Sequence, residues 1–444
     1  MNYLRIYGEK NGGSIPNDIT KETLNDESLL HPIRPDDPLL YSLGDLLPQE
    51  EESVKTEEQI EENRNELRRR TEEIKFALME KEWPDAEASR EKAYFDSYAS
   101  SSMHKSMLQD KVRTEGYRDF IYQNSHLFKD KVVLDVGCGT GILSMFCAKA
   151  GAKKVFAVDN SNIARKAEKI VAANGYSKVI HVHHGLMEDQ KLAYLIGGRE
   201  IDIIISEWMG YALLFEGMLE SVLRARDRYL KPDGLMLPTH CTLRIAPISD
   251  KDYIEDTMDT KFWKDVYGFD MSSMLPTLDL NQRDIATLTV PPKSLVSESS
   301  QFQELKMTTI TPEELQFSDV YSFTLTKDIT SLDAFVIWFD TFFVPPPNHA
   351  ASIGDVKAED WVKLGKEGIG FTTGPMGEET HWQQAVLLLE DKKQPMELKA
   401  GTKMEGHVTY RKIGGDHRAL EVTVTWHAEN GSKYYRGMQT WCME

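Results

Sequence analysis

Cysteine is scarce in this chain: four residues, Cys138, Cys147, Cys241 and Cys442, stand in 444, and none forms a C-x-x-C pair. Such spacing supplies neither a disulfide framework nor a zinc site, so small buried apolar roles are expected for all four. Long hydrophobic runs are lacking too. No stretch reaches the roughly 20 apolar residues that cross a bilayer, and the first ten residues lack the charged-then-apolar layout of a secretory leader. No membrane role is expected, and the expected location is the cytoplasm, with the nucleus as a second compartment. Basic charge is in deficit: 52 Lys and Arg face 71 Asp and Glu, a net charge of −19. A phosphate backbone would be repelled, which argues against direct nucleic-acid binding. A cationic partner would be attracted.

The strongest signal that is present runs from Val132 to Ser144, an apolar stretch reaching Asp135 and then breaking into Gly137, Gly139 and Gly141. It reads as a buried parallel strand, a tight turn and the opening of a helix. Glycine lets a ligand approach the backbone, and the helix behind it offers free N–H groups. The G-x-G-x-G spacing differs from the G-x-G-x-x-G of dinucleotide folds, which disfavours a nicotinamide oxidoreductase. A second apolar strand, Lys154 to Val158, runs into Asp159, a carboxylate suited to ribose hydroxyls. Acids at both strand ends suit a cationic nucleoside cofactor, S-adenosylmethionine.

Downstream, alternation continues: a helix over 163–174 stopped by Asn174-Gly175, a strand over 178–182, and a strand over 201–206. This rhythm predicts a doubly wound parallel sheet with its ligand at the carboxyl strand ends. His181, His183 and His184 lack a completing carboxylate or Cys at ligand spacing, so no metal site is expected. Beyond Leu237-Pro238, short β-branched and aromatic pieces at 242–247, 335–339, 384–389, 406–410 and 420–426 predict an antiparallel, barrel-like β domain. An inserted arm near 251–274 has helical polarity and exposed aromatics expected at Phe262, Trp263 and Tyr267, a docking surface for a second subunit. Upstream, 1–50 reads as irregular chain and 51–92 as a charged helical linker with Ile60, Leu67 and Ile74 spaced by seven. The remaining boundaries are 93–239 for the cofactor domain and 240–444 for the β domain.

The segment after the 201–206 strand carries the second signal. Glu207 and Glu216 stand in the otherwise apolar and aromatic segment from Ser206 to Met218. Carboxylates so placed lose solvation and call for a cation. A guanidinium matches the pair, with five N–H donors in a planar fork and a charge that persists at neutral pH. Polarising that group while aligning one nitrogen with a sulfonium methyl is methyl-transfer chemistry; either glutamate is a candidate to take the proton. Further on, Thr380-His381-Trp382 reads either as a turn with a satisfied His or, if the β domain closes over the sheet edge, as substrate-tunnel lining.

Four motifs in order, Tyr94-Phe95-x-x-Tyr98, Val136 to Gly141, Ser206 to Glu216 and Thr380-His381-Trp382, resemble the protein arginine N-methyltransferase family over about four fifths of the chain. The resemblance implies a Rossmann-like cofactor domain followed by an antiparallel β-barrel domain with a helical dimerisation arm. It implies that Tyr94, Phe95 and Tyr98 cover the cofactor, followed by His104, Met107 and Arg113, with Arg113 pairing the methionine carboxylate. Asp135, Gly137 and Gly139 would form the cofactor loop, Asp159 would bind ribose and Glu188 would meet adenine. Glu207 and Glu216 would hold the substrate guanidinium as catalytic residues with His381, and Met209, Met218 and Trp382 would complete the substrate site. Met107 and Met218 match members that make asymmetric dimethylarginine, the type I products. Implied partners are Arg/Gly-rich proteins, ribosomal and RNA-binding proteins among the candidates, and a second copy of the chain. Many relatives place Glu where Asp159 stands, and no Cys/His quartet precedes the acidic helix, where some members carry a zinc finger. A rival reading is a catalytically silent relative that captures Arg-rich partners; intact Gly137, Glu207 and Glu216 argue against it.

Overall fold

Val132–Val136 (β1) is apolar at four of its five positions, and the fold buries it at the centre of a five-stranded parallel sheet. The strands Lys154–Asp159 (β2), Ile180–His184 (β3), Ile201–Ser206 (β4) and Leu230–Leu237 (β5) complete the order β3-β2-β1-β4-β5. Strand order reverses between β1 and β4, which opens a crevice at the carboxyl ends, where Asp135, Asp159 and Ser206 lie. These coordinates come from a computed structural model that describes residues 85–443 apart from 199, 258–259, 275–283, 390–395, 415 and 432. The irregular segment 1–50 and the Ile60, Leu67, Ile74 stripe lie outside the described residues. Among the described residues no helix is long and apolar enough to cross a membrane.

Helices Asp85–Ser97 (α1), Ser101–Gln109 (α2), Lys111–Gln123 (α3) and Ser125–Phe128 (α4) precede the sheet. Ile142–Lys149 (α5), Ala164–Ala173 (α6), Gln190–Ile196 (α7) and Leu219–Tyr229 (α8) alternate with its strands. Helix α6 closes with a Schellman motif: Tyr176 N–H donates to Val171 C=O, and Gly175 N–H, at φ +78°, to Ala172 C=O. That closure, followed by a turn from Val179 N–H to Tyr176 C=O, consumes the residues before β3. The strand therefore begins at Ile180 and not at the expected Lys178.

The C-terminal half forms two antiparallel sheets. The first has the order β7-β12-β10-β6-β8, with Ala286–Leu288 (β7), Gln384–Leu388 (β12), Ala334–Phe343 (β10), His240–Ile248 (β6) and Ser300–Lys306 (β8); Ile369–Thr372 (β11) also pairs with β10. The second has the order β15-β14-β13-β9, from Lys433–Met443 (β15), Asp416–Asn430 (β14), Lys403–Ile413 (β13) and Phe317–Thr324 (β9). Isolated backbone bridges link the two sheets near both edges, Ser297 to Leu325 and Asp284 to Cys442. Phe335 of the first sheet packs on Tyr321 and Trp426 of the second, so large aromatics fill the space between. Cys442 accepts Ile285 N–H at an edge and is half-buried, unlike the three buried cysteines and contrary to expectation.

The arm contains helices Lys251–Thr257 (α9) and Thr260–Lys264 (α10). Phe262 and Tyr267 are exposed, at 55% and 97%. Trp263, expected to be exposed, is half-buried: its ring meets Phe262 edge-on and its carbonyl accepts Met271 N–H at 2.7 Å, folding the chain back over it. Helix α3 joins the halves of the molecule, because Tyr117 and Phe120 pack on Phe343 of β10.

Candidate active site

Gly137, Gly139 and Gly141 all adopt positive φ, the region open to glycine. Gly137 and Cys138 N–H both donate to Val158 C=O at 2.9 Å, which folds the turn against β2. A Cβ on Gly137 would stand 2.2 Å from Met218 Cε, and one on Gly139 would stand 3.3 Å from His104 Cε1. His104 is fixed by its Nε2 bond to Tyr98 C=O at 2.7 Å. Asp159 braces the loop by accepting Gly139 N–H at 2.9 Å and Ser161 through both N–H and Oγ.

Asp135 is fully buried. Ser144 Oγ donates to Oδ2 at 2.6 Å, whereas Oδ1 has no partner. Burial pushes this carboxyl up to about 7. Glu188, after β3, is also raised by burial. His183 bonds Asp189 at 2.8 Å, and no group of His, Cys, Asp or Glu among the described residues is arranged to hold a metal. A cradle free of Cβ atoms, acids at the strand ends and an orphaned buried carboxylate oxygen together fit a cationic nucleoside cofactor better than a phosphate-bearing one.

The acidic loop is shaped by backbone conformation. Ala212, Leu213, Glu216 and Gly217 all have positive φ, and a Cβ on Gly210 would meet Phe215 O at 2.1 Å. Glu207 Oε2 accepts both Arg113 Nε, at 2.9 Å, and Nη2, at 2.6 Å. Burial alone would lower the Arg113 pKa, but the Glu207 charge outweighs it and the guanidinium is raised. Glu216 Oε2 accepts Tyr98 at 2.5 Å and Tyr94 at 3.1 Å. Burial pushes Glu216 up from the ordinary carboxylate range, against the two phenol bonds, which pull it down. Both phenols are themselves raised far above their usual range by burial and remain donors.

The structure brings Tyr94, Tyr98 and Glu216 together, likewise Arg113 with Glu207, Gly137 with Met218, and Gly139 with His104 and Asp159. Phe95 packs edge-on against Tyr94, and Met107 reaches the site through its carbonyl, which accepts Arg113 Nη1. Met209 and Trp382 take supporting places. Met209 is buried with its sulfur 3.7 Å from Tyr117 Oη, and its carbonyl accepts Trp382 Nε1 at 2.8 Å. Trp382 packs on Phe339 and Phe371, so it anchors the acidic loop from behind. His381 Nδ1 and N–H both bond Asp110 Oδ2, at 2.7 and 2.9 Å. Asp110 also caps α3 by accepting Arg113 N–H. Sequence reasoning missed Asp110, Glu91 and Arg418; the last two form a bidentate pair beside Glu216. Arg418 is 202 residues from Glu216 and Asp110 is 271 from His381, so no local pattern could reveal them.

Residues 239–432 match the arginine methyltransferase oligomerization subdomain, and residues 121–235 match the ribosomal protein L11 methyltransferase family. The chain is 38% identical to the ribosomal protein arginine N-methyltransferase rmt3 of Schizosaccharomyces pombe, over 96% of this chain and 79% of that one. It is 41% identical to protein arginine N-methyltransferase 1 of the same yeast, over 75% and 88% of the two chains. Among solved structures, it is similar to the Trypanosoma brucei PRMT1 enzyme-prozyme heterotetrameric complex with AdoHcy, with TM-score 0.65 and 33% identity over 79% of this chain and all of that one. Arabidopsis thaliana protein arginine methyltransferase 10, in an open conformation, also gives TM-score 0.65, at 28% identity over the same shares. On these identities and coverages the chain belongs to the protein arginine N-methyltransferase family, with S-adenosylmethionine as its methyl donor.

Proposed function

We propose that this arginine methyltransferase makes monomethylarginine and asymmetric dimethylarginine in Arg/Gly-rich proteins, acts as a homodimer and uses Glu216 as its proton acceptor. The observation that carries the proton assignment is the difference between the two glutamates. Glu207 is ion-paired with Arg113, whereas the Glu216 carboxylate receives only neutral phenols and is raised by burial. A buried carboxylate with no cation hydrogen-bonded to it is the better base.

When bound, S-adenosylmethionine supplies an electrophilic methyl group. Gly137 and Gly139 would admit it to the backbone, Asp159 and Glu188 would receive its hydroxyls and base, and Arg113 would pair its anionic end. Glu207 and Glu216 then hold a guanidinium as its planar fork requires, concentrating charge on one side of the group so that the other nitrogen keeps its lone pair. The proton leaves that nitrogen for a Glu216 carboxylate oxygen. Tyr94 and Tyr98 stabilise the ionised carboxylate before that transfer and orient it.

Met218, packed where a Gly137 Cβ would stand, narrows the pocket beside the cradle and supports the asymmetric product. The exposed Phe262 and Tyr267 support dimerisation through the arm, within a segment matching an oligomerization subdomain. A relative named for ribosomal proteins makes these candidate substrates. Labelled S-adenosylmethionine with a Gly-Arg-rich peptide, followed by hydrolysis and separation of methylarginines, tests the product. Asymmetric dimethylarginine supports the reading; symmetric product alone, or none, overturns it. Light scattering of the full chain and of a Phe262→Ala/Tyr267→Ala variant tests the dimer, which the variant should weaken.

A further inference from the structure

Arg418, near the start of β14, touches three parts of the acidic pocket from outside it. Its Nε and Nη2 donate to Glu91 Oε1 and Oε2 at 2.6 and 2.9 Å. Its guanidinium carbon lies 3.6 Å from the centre of the Tyr94 ring and 5.4 Å from that of Phe95. Its Nη1 donates to Glu216 C=O at 2.6 Å, and Glu216 N–H donates back to Arg418 C=O at 2.8 Å. The backbones are tightly apposed: a Cβ on Gly217 would stand 2.7 Å from His417 O.

Each nitrogen of the fork is therefore committed. Two bind the helix that carries Tyr94 and leads directly into Tyr98, and one binds the main chain of the residue those phenols hold. A lysine at this position would offer a point charge without the fork or the stacking face. On the other side, Glu91 would be raised by burial, but hydrogen bonds from His417 and Arg418 outweigh it and bring its carboxyl down to about 2, so the pair stays ionised. The Glu216 loop alone does not fix α1 at its Glu91 turn; β14 does.

We propose that Arg418 is a positioning residue for arginine methylation, clasping the Tyr94–Tyr98 segment and the Glu216 main chain together so that the C-terminal sheet sets the geometry of the acidic pocket. Arg418 reaches neither substrate nor cofactor in this role. It decides whether the two phenols meet the Glu216 carboxylate, and so couples α1 to a strand more than 300 residues away, as the 327-residue separation of Arg418 and Glu91 shows.

The test uses the full chain with Arg418→Ala, Arg418→Lys and Glu91→Gln. Steady-state kinetics with S-adenosylmethionine and a Gly-Arg-rich peptide are combined with amide hydrogen exchange over residues 91–98. Loss of one partner of a half-buried, bidentate charge pair should reduce kcat/KM at least about tenfold in Arg418→Ala, with exchange in the segment at least about tenfold faster. Arg418→Lys should recover less than half of that loss on a logarithmic scale. A pH profile separates this role from simple loss of structure. Glu216 is faced by Tyr94 and Tyr98 from the α1 end, Glu207 and Tyr211 from its own loop, Arg113 behind Glu207, and Arg418 from β14. Removing the Arg418 charge should move the acid limb of kcat/KM upward, while the lysine variant holds it near the original position. Wild-type kinetics and exchange in Arg418→Ala would overturn the proposal, as would lost activity with unchanged exchange. If Arg418→Ala does not fold, Glu91→Gln decides: unaltered exchange and kinetics there refute the clasp.

Discussion

Tyr98→Phe isolates one hydrogen bond in the acidic pocket. Tyr98 donates to Glu216 Oε2 at 2.5 Å, and Tyr94 donates to the same oxygen at 3.1 Å. Both bonds favour the ionised carboxylate, opposing the burial that raises its pKa. Phenylalanine keeps the ring and removes only the donor. A hydrogen bond to a charged group contributes about 1.5–3 kcal/mol, and one pKa unit corresponds to about 1.4 kcal/mol, so Glu216 should rise by about 1–2 units. The direction follows from the proposed chemistry: the ionised carboxylate is the base, so a higher pKa leaves less of it at low pH. The acid limb of kcat/KM for a Gly-Arg-rich peptide, at saturating S-adenosylmethionine, should therefore move to higher pH. The variant should lose most activity on the acid side of the profile and recover as pH rises, with the shift set by this hydrogen bond. Cofactor affinity, measured separately by calorimetry, controls for the part of α1 expected to lie over the nucleoside. An acid limb that stays in place or moves down refutes Glu216 as the titrating base.

Glu216→Gln keeps the shape and removes the charge. With one carboxylate left for a buried guanidinium, about 2–5 kcal/mol should be lost, a fall of about 30- to 5,000-fold in kcat/KM with cofactor affinity nearly unchanged. Activity within a few-fold of wild type would remove Glu216 from the chemistry. Asp135→Asn should change how stability depends on pH. The buried carboxyl titrates at about 7 against an ordinary 3.8, so between those values the folded state holds a proton that the unfolded chain releases, and wild-type stability falls as pH rises through the window. About 3 units correspond to roughly 4 kcal/mol. Asparagine does not titrate, so denaturant melts near pH 5 and pH 8, which sample about two units of that window, should show the variant gaining on wild type by about 2–3 kcal/mol; parallel pH dependences would rule out the raised carboxyl. Trp382→Phe deletes the Nε1 bond to the buried Met209 carbonyl, and should cost about 1–3 kcal/mol in stability while raising KM for peptide, because the acidic loop rests on that ring. A drop in stability with no change in KM would separate Trp382 from the site.

The parallel half was legible because its signals are local. Ile201–Ser206 is bounded as its apolar run predicts, and Ala164–Ala173 lies between an Ile163 N-cap and an Asn174 C-cap, where Asn-Gly signalled a stop. Beyond the chain's local grammar, the site is assembled by contacts that pattern does not encode. Trp382 and His381 are adjacent, yet Trp382 turns inward to Met209 while His381 turns to Asp110, within a turn closed by Gln383 N–H on Thr380 C=O. The sequence left this pair open between a turn with a satisfied His and tunnel lining, and was silent on which ring supports and which bonds. The same holds for Arg418, one arginine among many until β14 brings it beneath Tyr94.

The two glutamates have unlike neighbours because they are held by different parts of the chain. Glu207 follows the central sheet directly, and Arg113 reaches it from a helix whose N-cap, Asp110, is tied to His381. Glu216 lies nine residues later, across a loop that passes through left-handed Ala212 and Leu213 and is left-handed at Glu216 itself, and its carboxylate accepts hydrogen bonds from Tyr94 and Tyr98 at the end of α1. Separate tethers permit one carboxylate to stay ion-paired while the other is desolvated beside neutral donors, the division that a guanidinium site needs if it must both hold a cation and take its proton.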